Sequence, residues 1–205
     1  MAKQGYHHGN LKQALVDAAL RLIETRGPSG FTLSEAAKQA GVTPAAVYRH
    51  FAGRNDLIAE AARQGYVIFA DAIASAHDRG PPSARGRFDA TCRAYLGFAR
   101  QYPGHYVAMF ESGLPVERTP ELALAAGRAR TLLDQAADAL RQHIPPDRRP
   151  PPEMFSAHIR AMSHGVVELF ARQPHDNAAP LAPEDLLETG IGIYLRGLGL
   201  DAPDS

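Results

Sequence analysis

Residues 32–51, TLSEAAKQAGVTPAAVYRHF, carry two helix starts eleven residues apart with a glycine between them. Thr32 and Glu35 have capping-box spacing, in which two side chains satisfy free amides of a first helical turn reciprocally. Ala36, Ala37 and Ala40 give this helix a small-residue face, and Gly41 can take the left-handed conformation that ends it. Thr43 is placed to cap a second helix. Pro44 sits at that helix's first position, where a missing N–H costs nothing. This helix is predicted to run to about Phe51, with Gly53 ending it. Two short helices joined by a tight glycine-containing turn make a helix-turn-helix, or an ordinary αα-hairpin within a bundle. Leu33, Ala37, Val42, Val47 and Phe51 are the residues expected to hold the two together.

The rest of the chain also reads as helix. In NLKQALVDAALRLIETRG the apolar Leu11, Leu15, Ala18 and Leu22 recur at helical steps, with Asn10 as cap and Gly27-Pro28 as stop. RNDLIAEAARQGYVIFADAIASA is a long fourth helix of roughly 24 residues, spanning about 36 Å. Gly80-Pro81-Pro82 breaks the pattern, Ser83 caps a fifth helix, and Pro103-Gly104 separates it from a short sixth, HYVAMFES. Thr119-Pro120 opens a seventh helix that runs to about His143. A stiff PPDRRPPP connector then leads to an eighth, EMFSAHIRAMSHGVVELFAR, and a ninth, PEDLLETGIGIYLRGL, joined by a loop at 174–183. The fold class is therefore all-α, with about nine helices.

Apolar residues make up 45% of the 205-residue chain, enough for a sizeable core. The formal net charge is zero, but its distribution is uneven. Residues 1–54 hold seven Lys and Arg against three Asp and Glu, and residues 55–205 hold 15 against 19. The basic N-terminal part is the candidate for an anionic partner. Cys92 is the only cysteine, which excludes an intrachain disulfide and points to a reducing, cytoplasmic home. No apolar run approaches the ~20 residues of a membrane span. No chemistry of turnover is legible either. His158 and His164 stand six apart and share no helix face, Cys92 has no histidine near it in sequence, and the GIG at 190–192 follows no strand. The expectation is a protein that is not an enzyme and needs no metal or cofactor.

A helix entering a DNA major groove presents its N-terminal residues to base edges. Thr43, Pro44, Ala45 and Ala46 are small enough for close approach, and their apolar groups can meet thymine methyls. Tyr48, His50 and Arg54 lie at and beyond the end of that helix, placed to donate to phosphates; Arg49 either reaches phosphate or faces solvent. The start of the TLSE helix offers a second anchor through free amides. The KQGYHHGN arm is basic and aromatic, suited to lie along a DNA backbone or probe its minor groove.

Residues 6–58 closely resemble the DNA-binding domain of the TetR family of bacterial transcriptional repressors. The resemblance is carried by RGPSGFT at the end of the first helix, the AAKQAGVT turn, VYRHF, and the GRNDLI opening of the fourth helix. It implies a three-helix DNA-reading domain over 1–54 and a helical ligand-binding and dimerisation domain over 55–205. Thr32, Ser34, Thr43, Pro44, Ala45, Ala46, Tyr48, His50 and Arg54 match DNA-contacting positions of the family, and Lys12, His7 and His8 are further candidates. Less extensively, YLGFARQYPGHYVAMFE and AMSHGVVELF resemble a regulatory domain named for a Trp-His-Gly motif. His164-Gly165 is present here, and the Trp is absent.

A ligand among helices four to eight would be an apolar or aromatic small molecule. The candidates to line its site are Tyr66, Phe69, Tyr95, Phe98, Tyr106 and Met109, together with Phe110, Phe155, His158 and Met162; the alternative for them is plain core. The resemblance implies a dimer made through the last two helices. Met154, Ile159, Val166, Leu186, Leu187, Gly190 and Tyr194 are the candidates there, against burial within the monomer. The reading that results is a homodimer on a double-stranded, pseudo-palindromic operator, released by a small-molecule effector that the sequence leaves unidentified. A DNA-binding accessory protein without effector and a transcriptional activator are the alternatives.

Overall fold

The computed structural model describes residues 8–171 and 181–200. Among them the protein is all helical, as the periodicity requires. The elements are α1 (His8–Arg26), α2 (Leu33–Gln39), α3 (Pro44–Val47), α4 (Arg54–Arg79), α5 (Ala84–Gln101), α6 (Pro103–Phe110), α7 (Pro120–Arg141), α8 (Pro152–Val166) and α9 (Pro183–Gly197). A single 3-10 turn (Val116–Arg118) precedes α7, and α8 passes into a π-helical segment (Val167–Ala171). No helix among the described residues is long and apolar enough to cross a membrane.

Five of the helices, α3, α6, α7, α8 and α9, have proline at their first positions, where its fixed φ suits a helix start. Three local expectations are corrected. The first helix begins at His8, so Asn10 lies inside it rather than capping it. Thr43 has the extended backbone of a cap (φ −74, ψ 149), but its side chain makes no cap hydrogen bond. And α3 is regular only from Pro44 to Val47. Beyond it the amides of His50 and Phe51 converge on the one carbonyl of Val47, a tightened turn that ends the helix before Phe51.

The contacts of the chain fall into two compact units. One takes in residues up to Val67 together with Tyr102–Ala126, and the other takes in Ile68–Gln101 and the chain from Gly127 onward. In the first, α1 buries Leu15, Val16, Ala18, Ala19, Leu22 and Ile23, a stripe at helical spacing that faces α2 and α6. Gly104 lets α6 lie directly on α1, since a Cβ there would stand 2.9 Å from the carbonyl oxygen of Leu20. In the second, Phe69 packs edge-on against Tyr95 at 5.1 Å and tilted against Phe98 at 4.9 Å, forming an aromatic centre for α4 and α5. Phe88 and Phe155 are fully buried in the same unit.

Two glycine substitutions should separate these effects. Gly104→Ala puts a methyl group against backbone that cannot move aside and should lower stability by about 1–3 kcal/mol. Gly97→Ala, on a helix position with nothing within 4 Å of the added carbon, should raise stability by about 0.5–1 kcal/mol. Urea unfolding of the two variants checks the opposite signs.

Candidate nucleic-acid interface and cavity

The first site is made by one turn. Gly41 has φ +72, and around it the Gly41 amide donates to the Lys38 carbonyl at 3.1 Å and the Val42 amide to the Ala37 carbonyl at 2.9 Å. This paired pattern closes a helix and reverses the chain. Val47 and Phe51 are then buried at 0% and 4% exposure, fixing α3 to the scaffold. What remains outward is Thr43, Pro44, Ala45, Tyr48 and Arg49, with Ala46 and His50 half-buried. Tyr48 is 61% exposed, a large aromatic left in water. With its hydroxyl not used in capping, Thr43 keeps a donor and an acceptor for a partner.

Of the other candidates in this unit, Thr32, Arg54 and Lys12 are already engaged. Thr32 is held by Glu35: its amide donates to Glu35 Oε2 at 2.8 Å, and its Oγ1 accepts from the Glu35 amide at 3.2 Å. Arg26 Nη1 reaches the same carboxylate at 2.9 Å. The Thr32 amide, its hydroxyl and Arg26 together hold the Glu35 carboxyl below its ordinary pKa. Ser34 is exposed beside this cluster. Arg54 Nη1 donates to the carbonyls of Ser29 and Phe31 at 3.0 and 3.3 Å, which ties the α1–α2 loop to the start of α4. Lys12 pairs with Glu60 at 3.4 Å and lies 6.0 Å from the centre of the Phe51 ring. Arg49, by contrast, is exposed and has no ion pair among the described residues. His7 and the side chain of His8 lie outside the described residues.

Glu60 anchors this end of α4. Burial would raise its pKa, but the hydrogen bonds from Arg63 and Gln64 and the charges of Arg63 and Lys12 bring it down to about 2. A carboxylate whose pKa falls on folding stabilises above its unfolded value near 4.3, and loses that stabilisation as pH drops through the folded value.

The second site is a cavity in the other unit, between α5, α7 and α8, with about 380 Å³ of empty space including its open mouth. Phe88, Cys92 and Tyr95 of α5 face it, with Leu133, Asp134 and Ala137 of α7. From α8 come Ser156, Ile159, Arg160 and Ser163. Burial pushes the Cys92 thiol up to about 12, so it stays protonated and behaves as an apolar wall. The Tyr95 hydroxyl stands 2.9 Å from Nε2 of His164, whose pKa burial and the Arg160 charge both lower.

Of the side chains expected to line a ligand site, the cavity takes Tyr95. Phe69, Phe98 and Phe155 are core of the same unit, and Met162 is half-buried. Tyr66, Tyr106, Met109 and Phe110 pack in the first unit, with Phe110 edge-on to Tyr66 at 5.8 Å and Met109 Sδ against Gly65. His158 is exposed and meets the Tyr194 hydroxyl at 2.8 Å on the surface of α8 and α9. The sequence signal that marks the cavity is different. Residues 88, 91, 92 and 95 of α5, and 156, 159, 160 and 163 of α8, repeat one i, i+3, i+4, i+7 stripe rich in small and hydroxyl side chains. Bulky residues fill space, and small ones leave it.

The candidates for a dimer face divide. Ile159, Val166 and Leu187 are at most 8% exposed and belong to the core of their own unit. Met154 is 51% exposed, while Leu186, Gly190 and Tyr194 are partly exposed beside Ile193 at 59%.

The profile described as "Bacterial regulatory proteins, tetR family" matches residues 15–61, which spans most of α1, all of α2 and α3, and the first turns of α4. A second, "Tetracyclin repressor-like, C-terminal domain", matches residues 88–194, more than half of the chain. The chain belongs to the TetR family. Relatives agree along its length. HTH-type transcriptional regulator BetI of Rhizobium meliloti is 29% identical over 195 residues, 92% of this chain and 91% of that protein. HTH-type transcriptional regulator AcrR of Shigella flexneri is 47% identical over 49 residues, 24% of this chain and 23% of that protein. Among solved structures, a protein of unknown function from Rhodococcus sp. RHA1 superposes with a TM-score of 0.78 at 24% identity, covering 97% of this chain and 100% of that one. The protein is accordingly a DNA-binding transcriptional regulator of the TetR family, and the exposed surface of α3 belongs to its helix-turn-helix.

Two outcomes follow for this TetR-family protein. Tyr48→Ala removes an exposed side chain, so stability should stay within about 0.5 kcal/mol. Affinity should fall for all DNA sequences alike, as anisotropy titrations on specific and random duplexes will show. Between pH 5 and pH 3 the urea midpoint should drop more in the parent than in Glu60→Gln, because only the parent takes up the extra proton on unfolding.

Proposed function

We propose that the protein is a homodimeric repressor that leaves a pseudo-palindromic operator when a small molecule fills the cavity of α5, α7 and α8. The observation that carries the DNA half is the outward face of α3, small at Thr43, Pro44 and Ala45 and aromatic and basic at Tyr48 and Arg49. Small residues allow main chain and methyl groups to reach base edges, while Tyr48, Arg49 and His50 contact phosphate. Ser34 joins them. Thr32, Lys12 and Arg54 sit close enough to the scaffold that their first role is to hold it, with their remaining donors directed to the backbone of DNA. The arm with His7 and His8 tracks the duplex.

Dimerisation would use the exposed Met154, Leu186, Gly190 and Tyr194 of α8 and α9, with the DNA-reading domain over 1–54 and the ligand and dimer domain over 55–205. Two α3 segments then enter successive major grooves about 34–36 Å apart. A two-fold dimer reads a two-fold site. An effector that binds better to the arrangement with the wrong spacing lowers operator affinity by the same factor by which the operator lowers its own. The action is binding without turnover, in the cytoplasm.

The test is a titration of the protein onto labelled DNA that flanks its own coding region. The reading requires two chains per inverted repeat, and loss of that binding on scrambling either half-site. One chain per site, or equal affinity for the scrambled duplex, contradicts it.

A further inference from the structure

The polar groups on the cavity wall are unequal. Thr91 Oγ1 donates to the Arg87 carbonyl at 2.9 Å, and Ser163 Oγ donates to the Ile159 carbonyl at 2.9 Å. The Tyr95 hydroxyl is taken by His164. Cys92 is a neutral thiol. Ser156 differs: it is 92% buried by its 8% exposure, lines the cavity, and has no hydrogen-bond partner among the described residues. Among the described residues the fully buried polar atom without a partner is His105 Nε2, so the Ser156 hydroxyl is not sealed off and can be met by what enters the cavity.

One helical turn further along α8 is Arg160, on the same face at i+4 and also on the cavity wall. Its guanidinium forms no ion pair among the described residues. The acid that could answer it is Asp134 across the cavity on α7. Asp134 pairs instead with Arg130 of its own helix, at 3.5 Å. The wall therefore presents an apolar lining, one hydroxyl with no protein partner, one unpaired cation a helical turn further along α8, and Asp134 already paired on its own helix.

We propose that this cavity takes an apolar monocarboxylate. Its hydrocarbon body would lie against Phe88, Cys92, Leu133 and Ile159, and its carboxylate would be shared between the Arg160 guanidinium and the Ser156 hydroxyl. This rests on the reading of the cavity as the effector site, and it names the chemistry of the effector. A carboxylate accepts both donors at once and neutralises the cation. An alcohol leaves the cation unpaired, and an amine adds a second positive charge beside it.

The experiment is isothermal titration of the full-length protein, without DNA, using two probe skeletons. Phenylacetate, 2-phenylethanol and 2-phenylethylamine form one set, and hexanoate, hexanol and hexylamine the other. At least one carboxylate should bind tenfold or more tightly than its alcohol and amine. Arg160→Gln should reduce that binding tenfold or more, Ser156→Ala severalfold, and Arg160→Lys less than Arg160→Gln, each with an unchanged circular dichroism spectrum. Carboxylates that fail to bind, an amine or alcohol that binds as well, or binding indifferent to Arg160→Gln in a folded variant would overturn the proposal. Operator release is measured separately with the same probes. A carboxylate that binds through Arg160 but leaves the operator complex intact supports the ligand chemistry and sinks the effector reading alone.

Discussion

The turn at Gly41 is the constraint on which the exposed face of α3 depends. Its φ of +72 lies in the region where a side chain strains the backbone, although nothing stands within 4 Å of the position. The strain would come from the main chain itself rather than from crowding. With glycine there, two amides close α2 and the chain reverses at once, so that Thr43 and Pro44 start α3 pointing away from the core. Val47 and Phe51 then hold α3 down by its other side. A four-residue helix has little stability of its own, and its orientation comes from these anchors.

Around that turn the positive residues divide into two groups. Arg26, Lys12 and Arg54 are bound to Glu35, to Glu60 and to loop carbonyls, and they fix the relation of α1, α2 and α4. Arg49 stays in solvent. The net positive charge of the N-terminal residues still creates a field favourable to DNA, because the paired acids are few. Its close-range expression is left to a few exposed groups. Exposed ion pairs of this kind contribute modestly to stability, so their weight lies in positioning.

What could be read from the sequence was local. The reciprocal cap of Thr32 and Glu35, the left-handed Gly41 and the proline starts each depend on residues within a few positions of one another, and all stand in the structure. The end of α3 was less legible: the amides of His50 and Phe51 converge on the Val47 carbonyl, and no glycine or proline stands at that point to mark it. The cavity was not legible from bulk. Tyr66, Tyr106, Met109 and Phe110 fill space in one unit, whereas the void in the other arises where small stripes of α5, α7 and α8 face each other. Facing is a tertiary relation, and a single helix's pattern does not state it. Ile159, Val166 and Leu187 show the same limit, because an apolar helix residue looks alike whether it faces its own core or a partner.

The central claim is that the small residues of α3 meet DNA bases. The direct measurement is a methyl spectrum of alanine-labelled protein, recorded free, with operator and with random duplex. The account predicts that the exposed Ala45 methyl shifts with operator and differs between the two duplexes, while the buried Ala36 and Ala37 methyls hold their positions. An Ala45 methyl that stays in place when operator is bound would contradict it.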